Sequence, residues 1–378
     1  MLISPKPATY VAPGAIAELP GIVRRTGAAS VLIVTDAALT ATSVIPAVSS
    51  VLADAGLPAR VFAGVHPNPT TDDITAGADS VENPDTVLVA VGGGSPIDAA
   101  KGIALAAVNP RRGRDLDYRN DFEHPALRLV AIPTTAGTGA ETNAFGVVTD
   151  PETHRKFYVG HASAMPAAAI LDPELTVGLP PGVTAATGFD AMTHALECYL
   201  SAHPNPWSDG IALQVIKMVA ANLPRACADG ADLDARAALL LAAHMAGVAM
   251  ANTGLGLAHA IGHSLGGRWN IAHGVTLSLV LPDVLRFSLP VRAARLADVA
   301  FALGAGDTHA SQERNAAAAI DAIAALRERV GLTRRLTDFG ITEADFATIA
   351  ADALDDEVLA NTPRHPTADE ITSILATA

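Results

Sequence analysis

The stretch TVLVAVGGGSPIDAAKG, residues 86–102, decides the fold. Thr86 to Val91 are mostly β-branched and almost wholly apolar, with no alternating polar face, the pattern of a strand covered on both sides in a parallel sheet. Gly92, Gly93 and Gly94 end the strand. Ser95 and Pro96 suit a first helical turn, and helical spacing continues from Ile97 to Ala107. A strand that turns through glycines into a helix leaves free N–H groups and the positive end of the helix dipole at the turn, a site for phosphate. The spacing is neither that of a P-loop nor the usual dinucleotide fingerprint. The glycines alone therefore leave two readings even: a phosphate cradle or a tight strand-to-helix turn.

The same grammar repeats on both sides. SVLIVTD from Ser30, LRLVAIPTT from Leu127 and AAAILDPEL from Ala167 read as further buried strands, with a helix over Ala41 to Ala55. IPTTAGTGAET offers the hydroxyls of Thr134, Thr135 and Thr138 beside Gly137 and Gly139, a second anion-friendly turn after a strand. Two such loops at the ends of parallel strands can converge on one crevice. Asp36 ends SVLIVTD, where a carboxylate can accept from an adenosine ribose hydroxyl and repel a 2'-phosphate, favouring NAD over NADP. Its alternative role is an N-cap for the next helix. After GLPPG, residues 178–182, the β-branched runs stop and helical spacing takes over. The expected organisation is an α/β domain over 1–180, with a Rossmann-like parallel sheet, and an all-helical domain over 181–378.

Bulk composition agrees with two packed domains: 378 residues, half of them hydrophobic, with 17% charged and 4% aromatic. A net charge of −14 repels phosphate backbones and anionic lipid, so neither nucleic acid nor a membrane surface is an expected partner. Arg111, Arg112 and Arg114 form the one local basic cluster and read as a solvated loop. Two cysteines, Cys198 and Cys227, are too few for a disulfide framework, and MLISPKPATYV lacks the order of a signal peptide, which points to a reducing cytoplasm. The apolar run Ala237 to Ala251 contains His244 and is shorter than a membrane span, so a buried helix of a soluble protein is expected there.

Of the twelve histidines, His66, His124, His154, His161, His309 and His365 are expected on exposed loops, and His203 and His244 in structural roles. The other four form a pattern. GFDAMTHALE puts Asp190 and His194 four apart, on one helix face. GLAHAIGHSLGGRWNIAHG repeats the spacing with His259 and His263 and adds His273 after a Gly-rich turn. A lone polar pair on an apolar helix is usually a satisfied core pair. Five such groups in two apolar segments are costly to bury without an ion, and carboxylate with imidazole suits Fe(II) or Zn(II). Ala260 stands where the zinc-peptidase HExxH motif needs its Glu, so metal-assisted peptide hydrolysis lacks its base.

Taken together, GGGSPIDAAK, IPTTAGTGAE, GFDAMTHALE, GLAHAIGHSLGG, AHG and NTPRHPTADEI resemble the iron-dependent (group III) alcohol dehydrogenase family over essentially the whole chain. The resemblance implies the iron alcohol dehydrogenase fold, shared with dehydroquinate synthase. It also implies metal ligation by Asp190, His194, His259 and His273. His263 would lie beside the nicotinamide and shuttle the proton. For NAD the resemblance points to Asp36, Asn68, Gly93, Gly94, Ser95, Asp98, Thr134, Thr135, Thr138, Lys156 and Leu175, with the NPT motif at Asn68 following a strand. Thr362 departs from the family's Asn-Pro, a difference expected to touch only a peripheral loop.

The implied activity is hydride transfer between a small alcohol or aldehyde and NAD, with Fe(II) ahead of Zn(II). Asn143, Phe145 and residues near Leu255 are expected to line a small, mostly apolar pocket. A homodimer or larger homo-oligomer is expected, with Ala8 to Val11 as a pairing edge. The rivals are a zinc polyol dehydrogenase and a dehydroquinate-synthase-like lyase. A lyase acting on a phosphorylated substrate should line its cleft with Lys and Arg, yet only Arg268 and, more distantly, Lys217 lie near the metal motifs. A non-enzymatic binding protein would be expected to have lost either the ligand set or the cofactor loops.

Overall fold

The computed structural model describes residues 7–153 and 156–378; the expected loop position of His154 lies outside them. Pro5–Gly178 and Leu179–Ala378 cluster as separate compact units. The N-terminal unit holds strands β1 (Ala8–Val11), β2 (Ser30–Asp36), β3 (Ala59–Val65), β4 (Thr86–Gly92), β5 (Leu129–Pro133), β6 (Phe145–Thr149), β7 (Lys156–Gly160) and β8 (Ala168–Leu171). Its helices are α1 (Leu19–Thr26), α2 (Ala37–Thr40), α3 (Val44–Asp54), α4 (Thr71–Asp79) and α5 (Gly94–Ala106).

Six strands form one parallel sheet in the order β1-β8-β5-β4-β2-β3, and β6 pairs with β7 in an antiparallel hairpin. Alternation along the strands builds two cores. Leu32, Val34, Leu88, Ala90, Leu129 and Ala131 pack with Ile97, Ala100 and Ile103 of α5 on one face. Val31, Ile33, Val87, Val89, Val130 and Ile132 pack with Leu19, Val48 and Leu52 of α1 and α3 on the other. Every residue of β4 is buried, as its unbroken apolar run requires. At the sheet's outer edge, β3 (ARVFAGV) buries only Val65 fully, and its apolar residues from Val61 on do not alternate with polar ones. The helix after the glycines begins at Gly94, so Pro96 is its third residue, where a missing N–H costs no internal bond.

The C-terminal unit is helical: α6 (Pro181–Leu200), α7 (Pro206–Ala228), α8 (Leu233–Met250), α9 (Leu257–Trp269), α10 (His273–Ala302), α11 (Gln312–Arg329), α12 (Glu343–Asp355) and α13 (Ala368–Leu375). Pro181 opens α6, where its fixed φ suits a first helical turn. The apolar run of Ala237 to Ala251 packs as the buried helix expected, in an element longer than the run itself. It lies in α8, an 18-residue helix long and apolar enough to cross a membrane by length and composition, as is α10. In each, 61% of that window is buried inside the fold, the packing of a core helix.

Candidate metal centre

Asp190 and His194 project from the middle of α6, His259 and His263 from α9, and His273 is the first residue of α10. The connection between α9 and α10 is tight because Asn270 adopts the left-handed conformation (φ 51°), which asparagine tolerates better than most residues. Two glycines then let the helices close. A side chain at Gly262 would run into Leu277 and Thr276 of α10, and one at Gly274 would land on the backbone of Ala186 in α6. The α6 backbone cannot move aside, so Gly274→Ala is expected to cost about 1–3 kcal/mol in overpacking. It should also draw His273 away from Asp190. Thermal unfolding read beside metal content would check both; a variant unchanged in both respects contradicts the close-approach argument.

The far end of α6 is held by α10. Pro290 precedes a kink at Arg292, whose guanidinium donates to the carbonyls of Leu200 (2.9 Å) and Ser201 (3.1 Å). Arg295 donates to the Tyr199 carbonyl. These cations satisfy the carbonyls that a helix C-terminus leaves open.

Asp190 Oδ1 lies 3.3 Å from His194 Nε2, 3.7 Å from His273 Nε2 and 3.8 Å from His259 Nε2. One donor atom from each of the four residues falls within 4.8 Å of the others. Four donors about 2.1 Å from one ion in a tetrahedron would stand roughly 3.4 Å apart, so the spacing suits a small divalent cation. Asp190 Oδ1 and His259 Nε2 are buried and make no hydrogen bond among the described residues, and such atoms need a partner. The residues therefore fit the metal. Asp190, His194 and His259 are buried, whereas the His273 side chain is 35% exposed, which leaves one side of the group open.

Electrostatics keep Asp190 ionised. Burial works against the Asp190 carboxylate, but the imidazoles of His194, His273 and His259 hold it well below the usual carboxylate range. Burial opposes the His259 cation too, yet Glu197 and Asp190 push its pKa up to about 9. His263 is not one of the four. Its ring stacks on His273 with centroids 5.7 Å apart, and its Nδ1 lies 2.7 Å from Asp356 Oδ2. That contact, against the cost of burial, keeps the Asp356 carboxyl low. Asp352 accepts from Ser264 (2.7 Å) and Arg268 (2.5 Å), tying α12 to α9.

Sequence reasoning passed over Glu197 and Asp356. Glu197 could have been found: it sits seven residues after Asp190, on the same helical face. Asp356 offered no such signal, being 93 residues from His263. The late motif corrects one expectation, because its loop is not peripheral. Thr362 is buried, the Asn361 carbonyl accepts from Ala202 N (2.8 Å), and a side chain at Gly256 would abut both Thr362 and Glu197. His203, expected to be structural, is exposed, whereas His244 is buried.

In the N-terminal unit the two glycine loops adjoin. A side chain at Gly93 would meet Thr135, one at Gly94 would meet Thr138, and Thr134 N donates to the Gly92 carbonyl (2.9 Å). Ser95 lies partly exposed in the first turn of α5. Asp36 caps α2, accepting from Leu39 N (2.8 Å), so its N-cap role is real. Asn68 takes a left-handed turn (φ 53°) and accepts from Lys156 Nζ (3.0 Å). Burial lowers the Lys156 pKa, partly offset by Asp98. Leu175 is buried at the border of the apolar core.

Asp98 faces inward: Oδ2 accepts from Val147 N (3.0 Å) and Oδ1 from Lys101 Nζ (3.3 Å). Lys101 is fully buried and donates also to the carbonyls of Ala140 (2.7 Å) and Phe145 (2.6 Å) and to Asn143 Oδ1 (2.8 Å). Burial pushes Asp98 up and Lys101 down against their mutual attraction. Asn143, expected in a pocket wall, is thus buried and engaged with Lys101, while Phe145 is 40% exposed.

Residues 7–173 match the model for iron-containing alcohol dehydrogenase, and residues 184–378 match that for the C-terminal part of the Fe-containing alcohol dehydrogenase family. The chain belongs to the iron-containing alcohol dehydrogenase family. It is 38% identical to the NAD-dependent methanol dehydrogenase of Bacillus methanolicus over 98% of both chains. It is 35% identical to the lactaldehyde reductase of Escherichia coli, over 97% of this chain and 96% of that one. A crystal structure of 1,3-propanediol oxidoreductase superposes with a TM-score of 0.93 at 35% identity, covering 100% of this chain and 99% of the other. As a member of this family, the chain is a metal-containing enzyme of alcohol and aldehyde redox.

Proposed function

We propose that this enzyme exchanges a hydride between a small primary alcohol or its aldehyde and NAD, with Fe(II), or else Zn(II), held by Asp190, His194, His259 and His273. The observation that carries the reading is the convergence of Asp190 Oδ1 with three imidazole Nε2 atoms at 3.3–3.8 Å, with His273 partly exposed beside them. When bound, the ion supplies Lewis acidity that lowers the pKa of the substrate hydroxyl. The protein's own groups manage the proton. Ionised Asp356 accepts from His263 Nδ1, which fixes the ring and leaves Nε2 to take the hydroxyl proton. Both side chains are about one-fifth exposed, so the proton has a short way to solvent.

For the cofactor, the loops at Gly93, Gly94 and Ser95 and at Thr134, Thr135 and Thr138 are the reading's phosphate cradle, flanked by Asp36, Asn68, Lys156 and Leu175. Asp98 serves that cradle from behind, through Lys101. Asp36 disfavours a 2'-phosphate, and NAD-dependence is stated of the methanol dehydrogenase relative. The open edge of β1 is where a second copy would pair, giving a homodimer or larger assembly in the cytoplasm.

A panel of short alcohols and aldehydes, followed by NADH absorbance with Fe(II), Zn(II) or chelator, tests the reaction; NADH formation is expected to need the metal. In the same assay His263→Ala should lower kcat by roughly 100- to 10,000-fold with metal content and NAD affinity unchanged. An unaltered kcat would remove His263 from the proton route.

A further inference from the structure

We propose that Glu197 is the positioning residue of the metal centre, holding His259 so that its Nε2 faces Asp190; this rests on the metal reading above. Glu197 is buried on α6, one turn beyond His194. Its Oε2 accepts from His259 Nδ1 (2.5 Å) and Gly256 N (2.9 Å), and its Oε1 from Ala258 N (2.6 Å). A carboxylate has no proton to give, so the shared hydrogen belongs to His259 Nδ1, and the ring's other nitrogen is the one left to bind an ion. Gly256 is the N-cap of α9 and has no side chain to cap with. Glu197 supplies that function from another helix, so one carboxylate sets both where α9 begins and which way His259 turns.

Glutamine at this position has the same shape but the wrong chemistry. Its amide would face a backbone N–H, donor against donor, or face His259 Nδ1 and drive the ring proton onto Nε2, the atom the ion needs. Aspartate is shorter yet keeps the acceptor. A role in packing or capping alone predicts that glutamine, which still accepts one backbone N–H, is the better substitute; a role in orienting His259 predicts that aspartate is.

The test is chelator competition for Zn(II) alone, using metal-stripped wild type, Glu197→Gln, Glu197→Asp and His273→Ala, with folding followed by far-UV circular dichroism. Glu197→Gln is expected to bind Zn(II) roughly 10- to 100-fold more weakly than wild type. Glu197→Asp should fall between the two. Wild-type affinity in Glu197→Gln, or tighter binding by the glutamine variant than by the aspartate, overturns the proposal. If His273→Ala also binds as wild type does, the ligand set itself is wrong and the inference falls with it. Loss in His273→Ala with none in Glu197→Gln overturns the role of Glu197 alone. Should Glu197→Gln not fold, a histidine ¹⁵N spectrum of Zn(II)-loaded wild type decides. A proton on His259 Nδ1 with Nε2 coordinated supports the proposal, and the reverse overturns it.

Discussion

His273→Ala is expected to lose the metal and at least about 1,000-fold in turnover, since several kcal/mol of charge stabilisation disappear at about 1.4 kcal/mol per factor of ten. His273 is the informative ligand to remove because its side chain is 35% exposed, so truncation opens no sealed cavity in the core. NAD affinity should stay near that of wild type, because the glycine loops lie in the N-terminal unit, which has its own two apolar cores. Metal analysis, thermal unfolding and NAD titration on one preparation separate the effects. Retained metal with retained turnover would remove His273 from the ligand set.

The second large effect is on stability. Lys101→Met keeps the volume of the side chain but leaves the Asp98 carboxylate, the Ala140 and Phe145 carbonyls and Asn143 Oδ1 without their shared donor. Removing one partner from a buried ion pair costs about 3–5 kcal/mol. Lys101 also joins α5, which follows the first glycine loop, to the segment from Ala140 to Phe145 that follows the second. NAD affinity should therefore fall together with the unfolding midpoint in urea. A midpoint within experimental error of wild type would mean that water or a neighbouring donor replaces the ammonium.

The two features differed in how plainly the sequence announced them. The buried strand ending at Gly92 and the four-residue spacing of Asp190 and His194 were legible because each follows from a local period, two for a strand and 3.6 for a helix. Local spacing could not separate His263 from His259, which share one helix and one face. What distinguishes them is a partner each: Glu197 from α6 for His259, and Asp356 from beyond α12 for His263. Lys101 drew no reading from the sequence, since its acceptors at Ala140 and Asn143 come from a segment some 40 residues away. The buried setting of Thr362 depends on tertiary contact with the Gly254–Gly256 turn, which no pattern around Thr362 encodes. Asp36 carried two readings of which the N-cap is met, and a cap leaves its second oxygen open to a ribose hydroxyl.

The most direct measurement is an anaerobic titration of metal-stripped protein with Fe(II), in the presence of NAD and a short primary alcohol, following NADH absorbance. Turnover is expected to rise in proportion to added Fe(II) and to level off at one ion per chain, with His273→Ala flat throughout. Full turnover in the stripped protein, or an equal response from His273→Ala, would contradict alcohol oxidation by an ion held at Asp190, His194, His259 and His273.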